Sequence, residues 1–294
     1  MKTIQSYRSL IKLLVLTCLM VNSSNVSAQL TTREVGGKSG YAPVNGQKIY
    51  YEIHGEGQPI ILLHGAFMTI NSNWAQLIPE LSKTRKVIAL EMQGHGHTAL
   101  GDRPYSFATL ADDVAKAMQY LKIDSADILG YSFGGTIAYK LTIDNPQMVK
   151  KLIIVSSVYR SDGWQKDVRD VMHTLKPEYL TNTPLKTEYD KVAANKNDWN
   201  NFLTRMLEFD KVEFNFGEDK IKHLKSPVLL ISGDNDGVDK NILLDTYKIL
   251  GGCIFADMAG VPKSQLAIVP AQGHVSLMME TETILKYVNA FLNK

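Results

Sequence analysis

Short runs of entirely apolar residues constrain the fold of this chain most strongly. Residues 60–63 read Ile-Ile-Leu-Leu and residues 228–231 read Val-Leu-Leu-Ile, with no polar residue at alternate positions. A strand with one face in water alternates apolar and polar side chains, whereas a strand covered by helices on both faces is apolar throughout. β-branched runs of this kind predict strands at residues 49–53, 59–63, 86–90, 126–130, 151–155, 227–232 and 265–269.

Segments with helical periodicity separate these runs. Ser106, a residue type that favours helix N-caps, precedes apolar side chains spaced three or four residues apart, and a second such segment lies near the C-terminus. The apolar positions are Phe107, Leu110, Val114, Met118 and Leu121, then Ile284, Leu285, Val288, Phe291 and Leu292. Strands that alternate with helices predict an α/β fold with a mostly parallel, doubly wound sheet.

One interval breaks the alternation. Residues 157–222 contain no strand-like run and instead carry helical patterns, which Pro177 and Pro184 divide into two or three helices. We interpret this interval as a helical cap inserted into a sheet domain that residues 29–156 and 223–294 form together. Residues 29–45 show no periodic pattern, and we expect a loose leader there.

Residues 1–28 have the pattern of a secretory signal peptide. Lys2, Arg8 and Lys12 precede a nine-residue run at 13–21 that is apolar except for Thr17, and Val-Ser-Ala at 26–28 resembles a cleavage site. Nine residues span roughly 14 Å as a helix, much less than a bilayer requires. We therefore expect an exported protein, periplasmic or secreted, with no stable membrane span after signal removal. A lipid-modified Cys18 is a weaker alternative, because Cys18 lies within the apolar run.

Charge and cysteine content narrow the class of protein further. The chain has 32 basic and 30 acidic residues, and removal of residues 1–28 leaves 29 basic against 30 acidic. This balance gives no basic surface of the kind that binds nucleic acid. Cys253 is then the last remaining cysteine, so no intramolecular disulfide can form. Its apolar neighbours predict that Cys253 is a small buried residue.

The most informative motif is Gly-Tyr-Ser-Phe-Gly at residues 130–134. It follows a strand-like run and opens a helical pattern, which is the setting of a nucleophile elbow around Ser132. Glycines on both sides permit a turn too tight for a Cβ atom and leave the serine hydroxyl accessible. The helix that begins there directs its free amides toward developing negative charge. An ordinary glycine-rich turn before a helix is the alternative.

A serine hydroxyl needs a base, and that base needs an acid to orient it. His274 follows the last predicted strand, in a loop at the carboxyl edge of the sheet, and is the candidate base. The strand before it leads into Asp234 and Asp236. We choose Asp236, because Asp234 directly follows the strand and is better placed to organise the turn; Asp239 is the third choice. The order Ser132, Asp236, His274 differs from the orders of the chymotrypsin and subtilisin types.

With these motifs the sequence resembles the α/β-hydrolase superfamily, in its cap-bearing serine esterase-like branch, from about residue 45 to residue 294. The resemblance rests on the elbow, Leu-Leu-His-Gly at 62–65, Gln-Gly-His-Gly at 93–96 and Gly-His at 273–274. It implies an oxyanion hole formed by the backbone N–H groups of Ala66 and Phe133. Glu91 and Gln93 stand where the family has Asp and Arg, and we interpret both departures as structural.

Metal and cofactor sites fit the sequence poorly. His95 and His97 resemble half of a zinc site, but no further ligand follows at a suitable spacing. Gly94-x-Gly96 lacks the third glycine of a dinucleotide site, and no phosphate-binding loop occurs. We therefore expect no cofactor and no metal. A serine at the nucleophile position also disfavours relatives that use an aspartate nucleophile.

The sequence thus predicts a serine hydrolase that cleaves a small-molecule carboxylic ester through an acyl-enzyme. Other chemistry of the same triad remains open: a thioesterase, a carbon–carbon bond hydrolase, a cofactor-free haloperoxidase or perhydrolase, or a ligand-binding sensor without turnover. Aromatic residues of the cap either line an acyl pocket or form the core of the cap itself. These residues are Trp164, Tyr179, Trp199, Phe202 and Phe209.

Overall fold

The computed structural model describes residues 37–294, so the predicted signal peptide lies outside the described residues. Within this range the chain forms one eight-stranded sheet with the order β1-β2-β4-β3-β5-β6-β7-β8. The strands are β1 (Lys38–Val44), β2 (Gln47–His54), β3 (Gln58–Leu63), β4 (Arg85–Leu90), β5 (Ala126–Tyr131), β6 (Val149–Val155), β7 (Val228–Gly233) and β8 (Gln265–Val269).

The sheet is parallel from β4 to β8 and antiparallel at the β1-β2 end, which confirms the predicted mostly parallel α/β sheet. All seven predicted strands are present. The prediction of a loose leader at residues 29–45 is wrong for its described part, because residues 38–44 form β1. Asn45 and Gly46 connect β1 to β2 with φ values of 49° and 78°. An Asn-Gly pair is a strong sequence signal for a β-hairpin, so this turn could have been recognised from the sequence.

Helices cover both faces of the sheet. They are α1 (Ile70–Trp74), α2 (Leu77–Leu81), α3 (Phe107–Tyr120), α4 (Phe133–Asp144), α5 (Lys166–Thr174), α6 (Pro177–Leu180), α7 (Pro184–Val192), α8 (Trp199–Asp210), α9 (Glu218–Lys222), α10 (Lys240–Ile249), α11 (Ala256–Ala259), α12 (His274–Met279) and α13 (Thr281–Leu292). No helix within residues 37–294 has both the length and the apolar character needed to cross a membrane.

Two apolar clusters, one on each face, explain the uninterrupted apolar runs. Ile61 and Leu63 of β3 pack in one cluster with residues of α3 and α4, whereas Ile60 and Leu62 pack in the other with residues of α1, α2 and α13. All four side chains are fully buried. Alternate side chains of each central strand therefore enter different cores, and a polar residue at either position would be buried.

Five of the helices, α5 to α9, lie between β6 and β7. Among them α8 contacts the sheet domain most clearly: the Phe202 ring packs edge-on against Phe67, and Arg205 donates hydrogen bonds to the carbonyls of Gly101 and Arg103. By contrast, α5 has no buried residue. The helical interval is thus anchored to the loops at the carboxyl edge of the sheet mainly through α8.

The prediction that Cys253 is buried is wrong. Its side chain is exposed, and its φ of 54° lies in the left-handed region, at a chain reversal that follows Gly251 and Gly252. Apolar neighbours are exposed here as well, including Phe255 and Met258. The apolar composition of this segment therefore did not indicate burial.

Asp210, the last residue of α8, should make stability depend on pH. Its Oδ2 atom is buried and has no hydrogen-bond partner among residues 37–294, and burial raises its pKa to about 7. The unfolded chain loses this proton near pH 4, so the folded state binds more protons between about pH 4 and 7, and stability falls across that window as pH rises. Asp210→Asn should therefore raise the melting temperature at pH 8 by several degrees and leave it nearly unchanged at pH 4.

Differential scanning fluorimetry across this pH range measures the effect. Asp167→Asn, at an exposed position of α5, is the matched control and should leave the melting temperature near that of the wild type at both pH values. A gain of the same size at pH 4 and pH 8 for Asp210→Asn would contradict the assignment.

Candidate active site

Ser132 occupies the sharp turn between β5 and α4. Its φ of 52° and ψ of −119° are unusual for a residue with a side chain, and such strain persists only where the surroundings impose it. The flanking glycines are required by close backbone approach: a Cβ atom on Gly134 would lie 2.1 Å from the Leu63 carbonyl oxygen, and one on Gly130 would lie 2.4 Å from the Gly134 carbonyl oxygen. The elbow geometry expected for the motif is therefore present.

The structure brings the three predicted catalytic residues together. His274 Nε2 lies 2.9 Å from Ser132 Oγ, and His274 Nδ1 lies 2.9 Å from Asp236 Oδ1. A carboxylate at Nδ1 fixes the tautomer, so that Nδ1–H donates to Asp236 and Nε2 accepts from the serine hydroxyl. The His274 side chain is 28% exposed and that of Asp236 is fully buried. The base is thus accessible to a substrate while the acid is shielded from water.

Asp236 is held as a buried carboxylate. Burial alone would raise its pKa, but the hydrogen bond from His274 and the positive charges of His274 and Lys240 outweigh burial and lower the pKa to about 2. Its Oδ2 also accepts a hydrogen bond from Ser232 Oγ at 3.3 Å. The carboxylate therefore stays ionised at any pH at which the imidazole acts as a base.

The other two candidate acids have different partners. Asp234 is exposed, and its Oδ1 accepts hydrogen bonds from the backbone N–H of Gln272 and from the side chain of Asn235. Backbone hydrogen bonds of this kind lower the pKa of Asp234. Asp239 caps α10 by accepting from the N–H groups of Asn241 and Ile242. Neither carboxylate contacts His274, so the two side chains organise turns.

Two backbone N–H groups, one in the loop after β3 and one directly after Ser132, lack an acceptor among the described residues. Around the loop after β3, the N–H groups of Gly65, Phe67, Met68, Thr69 and Ile70 all donate to protein acceptors, whereas that of Ala66 does not. Phe133 is the first residue of α4, and its N–H is likewise unpaired within residues 37–294. These are the two amides that the resemblance assigned to an oxyanion hole, which stabilises a tetrahedral oxyanion.

The two departures from the family pattern have structural partners. The buried Glu91 carboxylate accepts hydrogen bonds from the N–H groups of Ile70 and His97, and it contacts the His97 ring. The Gln93 side chain donates to the carbonyl of Arg103 and accepts from the Arg103 guanidinium. Glu91 therefore connects the loop after β4 to the start of α1, whereas Gln93 makes contacts within that loop, and neither side chain hydrogen-bonds to the triad.

Aromatic rings surround the triad, and only some of them were singled out in the sequence. Tyr131 stacks on His274 with ring centres 5.2 Å apart, and the Trp164 ring is edge-on at 5.6 Å. Of the other four aromatic residues named from the sequence, Phe202 packs on Phe67, Phe209 packs on Phe133, Trp199 is buried against Tyr189, and Tyr179 is 45% exposed. Trp164 is thus the one of the five that contacts the triad.

A second aromatic group beside the elbow was missed. Phe107 lies 6.2 Å from Phe133 between ring centres and 4.6 Å from Phe214, which in turn contacts Phe216. In the sequence Phe107 fits the periodic pattern of a helix, so it was interpreted as an apolar helix position and its contacts with Phe133 and Phe214 were not predicted. Phe214 and Phe216 lie outside any helix or strand, so no periodicity marked them.

A mostly parallel sheet with a Ser-His-Asp arrangement after β5, β8 and β7 defines an α/β hydrolase by fold and site. Comparison with known proteins agrees with this class. A sequence model of the alpha/beta hydrolase fold matches residues 58–179. Together with the structural matches described below, this match shows that the chain has the α/β-hydrolase fold.

Two curated relatives match about a third of the chain. A 2-hydroxymuconate semialdehyde hydrolase of Pseudomonas sp. (strain CF600) is 37% identical over 106 residues, which are 35% of this chain and 38% of that protein. A 2-hydroxy-6-oxo-2,4-heptadienoate hydrolase of Pseudomonas putida is 34% identical over 110 residues, 35% of this chain and 39% of that protein. The aligned residues thus span about two fifths of these relatives.

Solved structures match more of the chain at lower identity. An α/β hydrolase from a Medee basin deep-sea metagenome library has a TM-score of 0.69 and 20% identity, with 87% of this chain and 98% of that chain covered. A meta-cleavage product hydrolase from Pseudomonas fluorescens IP01 has a TM-score of 0.66 and 24% identity, with coverage of 88% and 98%. At these identities the matches establish the fold.

Proposed function

We propose that this protein is a serine hydrolase that cleaves a small-molecule carboxylic ester through an acyl-enzyme. The observation that carries the proposal is the continuous hydrogen-bonded chain Ser132–His274–Asp236, together with the unpaired N–H groups of Ala66 and Phe133. A nucleophile, a base, an orienting acid and two oxyanion donors are the parts that acyl transfer requires.

The first half of the proposed reaction acylates Ser132. Its Oγ attacks the ester carbonyl carbon while His274 Nε2 takes the hydroxyl proton, and the electrons of the carbonyl double bond move to its oxygen. Ala66 and Phe133 donate their N–H groups to that oxyanion. When the double bond re-forms, the carbon–alkoxy bond breaks and His274 gives its proton to the departing alcohol. The products are an alcohol and the Ser132 ester.

The second half hydrolyses the acyl-enzyme. A water molecule gives its proton to His274 Nε2 as its oxygen attacks the acyl carbon, and the same two amides receive the second oxyanion. Collapse breaks the carbon–Oγ bond, and the proton on His274 returns to Ser132. Asp236 remains ionised throughout, since its pKa is about 2, and stabilises each imidazolium.

The surroundings of the triad favour an apolar group on the substrate. Phe107, Phe214 and Phe216 are half-buried, so part of each ring faces solvent close to the elbow, and Trp164 is half-buried beside His274. Aromatic surface of this kind binds apolar groups, and few polar groups are needed to orient them. We also propose export to the periplasm or medium, which rests on the composition of residues 1–28 alone.

A carbon–carbon bond hydrolase is the second candidate. Two relatives that align with part of the chain are a 2-hydroxymuconate semialdehyde hydrolase and a 2-hydroxy-6-oxo-2,4-heptadienoate hydrolase. Hydrolases of this type cleave carbon–carbon bonds. The same triad and oxyanion donors are compatible with that reaction. The choice between the two candidates therefore depends on which substrates can bind beside Ser132.

Turnover of a graded set of substrates tests the choice. We expect hydrolysis of p-nitrophenyl acetate, butyrate and octanoate by the full protein, with kcat/KM rising from acetate to butyrate because the longer chain buries more apolar surface. A butyryl thioester and 2-hydroxymuconate semialdehyde complete the set. Cleavage of the semialdehyde without measurable ester hydrolysis would replace the proposal by the second candidate. Binding of the esters without turnover would indicate a sensor.

A further inference from the structure

His95 is a buried histidine outside the triad whose two ring nitrogens both have partners. Its Nδ1 lies 3.0 Å from the Gln93 carbonyl oxygen, and its Nε2 lies 3.1 Å from the backbone nitrogen of Phe67. A carbonyl only accepts, so Nδ1 carries the proton and donates to it. The amide N–H of Phe67 only donates, so Nε2 must accept. These partners define a neutral imidazole in a single tautomer.

The residue that His95 holds adjoins the oxyanion donor Ala66. Phe67 has a φ of 62°, a left-handed conformation that a residue with a side chain adopts only when its surroundings impose it. The hydrogen bond to His95 fixes the peptide group between Ala66 and Phe67. Since the N–H of Ala66 lies on the preceding peptide, its direction depends on this constraint.

His95 also contacts the other donor residue. Its ring stacks on that of Phe133 at 5.7 Å between centres, and Phe202 and His64 enclose it at 4.8 Å each. Burial above all holds the pKa of His95 well below its usual range. The imidazole therefore stays neutral and keeps Nε2 available as an acceptor under the conditions of catalysis.

We propose that His95 is a positioning residue for the oxyanion hole: by accepting the Phe67 N–H and packing on Phe133, it sets the relative placement of the Ala66 and Phe133 amides. The inference rests on the proposed function, since it assigns a role in acyl transfer. It requires that the loss of the Nε2 acceptor weaken binding of the tetrahedral oxyanion more than binding of the ground-state substrate.

His95→Asn and His95→Gln form a matched pair for the test. The shorter asparagine can still donate to the Gln93 carbonyl but does not reach Phe67, whereas the glutamine amide oxygen can extend to the place of Nε2. We expect His95→Asn to lower kcat by ~10–100-fold with KM changed by less than about threefold, since full loss of one oxyanion donor costs about 10²–10³. His95→Gln should recover most of this activity.

The affinity of a trifluoromethyl ketone is a second measurement, and it should not change selectively if the role of His95 is only structural. Ser132 Oγ adds to its carbonyl carbon, the hydroxyl proton moves to His274, and the ketone oxygen becomes an oxyanion in the hole. The corresponding trifluoromethyl alcohol forms no such adduct. His95→Asn should raise the inhibition constant of the ketone by the same factor by which it lowers kcat. The inhibition constant of the alcohol should stay unchanged. Fluorine NMR follows the adduct directly, so the test does not depend on ester turnover.

The outcomes separate the two hypotheses. Equal kcat and equal ketone affinity in wild type and His95→Asn, with an active wild type, would overturn the role of His95 alone. Equal losses of affinity for the ketone and the alcohol would assign His95 a structural role in the core instead. The same conclusion would follow if both variants had a lower melting temperature and His95→Gln did not recover kcat. A wild type that neither hydrolyses esters nor forms the adduct overturns the inference together with the proposed function.

Discussion

Replacement of Ser132 by alanine is expected to lower kcat for ester hydrolysis by at least ~10³-fold while the protein remains folded. The hydroxyl is the nucleophile of the proposed reaction, and alanine removes it without adding atoms to the turn. The remaining oxyanion donors and binding contacts would support only residual catalysis. Initial rates on p-nitrophenyl butyrate measure the loss, and circular dichroism with a melting curve checks the fold.

Ser226→Ala is the matched control. Ser226 is also a buried serine, but its hydroxyl donates to the Val149 carbonyl at the start of β6, at the edge of the sheet opposite the triad. Its kcat should match that of the wild type. A fluorophosphonate, which forms an Oγ–phosphorus bond and releases fluoride, should label the wild type and Ser226→Ala at Ser132 and leave Ser132→Ala unlabelled. Wild-type rates in Ser132→Ala would refute the triad assignment.

Much of the site could be predicted because parallel strands gather their carboxyl ends at one edge. Ser132, Asp236 and His274 each follow a strand that reads as apolar in the sequence, so a correct strand assignment places all three at the same edge. The choice of Asp236 over Asp234 followed from chain geometry: the residue that directly follows a strand continues the turn, whereas one two residues later can turn back toward the next loop.

What the sequence did not indicate depends on contacts between distant segments. The resemblance implied Ala66 as an oxyanion donor, but its N–H is distinctive only because neighbouring amides find acceptors in Asn73 of α1 and in His95 and Glu91 of the loop after β4. The aromatic group of Phe107, Phe214 and Phe216 combines a helix with irregular chain more than a hundred residues away. No local periodicity predicts such contacts, since they form only when the segment between β6 and β7 packs against the rest of the fold.

The Glu91 and Gln93 departures illustrate the same limit. Their difference from the family pattern was visible, and a structural role was the expectation. Their partners were not visible, because Ile70 begins α1, and His97 and Arg103 lie further along the irregular segment after β4. Substitution within a motif therefore indicates a local change in hydrogen bonding without indicating which loops it connects.

Asp236→Asn should be the second most damaging substitution, with kcat lowered by roughly 10³–10⁴-fold and KM little changed. The amide retains the shape of the carboxylate but removes the charge that stabilises the imidazolium, and its NH₂ group can bind the wrong His274 tautomer. Because the pKa of Asp236 is about 2, the wild-type carboxylate is ionised from pH 6 to pH 9, so protonation of Asp236 itself does not contribute to the pH dependence of the loss in this range.

Asp234→Asn provides the control for this prediction. The amide oxygen of the introduced asparagine can still accept the Gln272 N–H, as the carboxylate does, and position 234 is exposed and does not contact His274. The kcat of this variant should stay within about threefold of the wild type, since a neutral acceptor can keep this loop in place. If Asp234→Asn were the inactive variant and Asp236→Asn the active one, the orienting acid would be Asp234. His274 would then have to leave its 2.9 Å contact with Asp236 and approach an exposed carboxylate during catalysis.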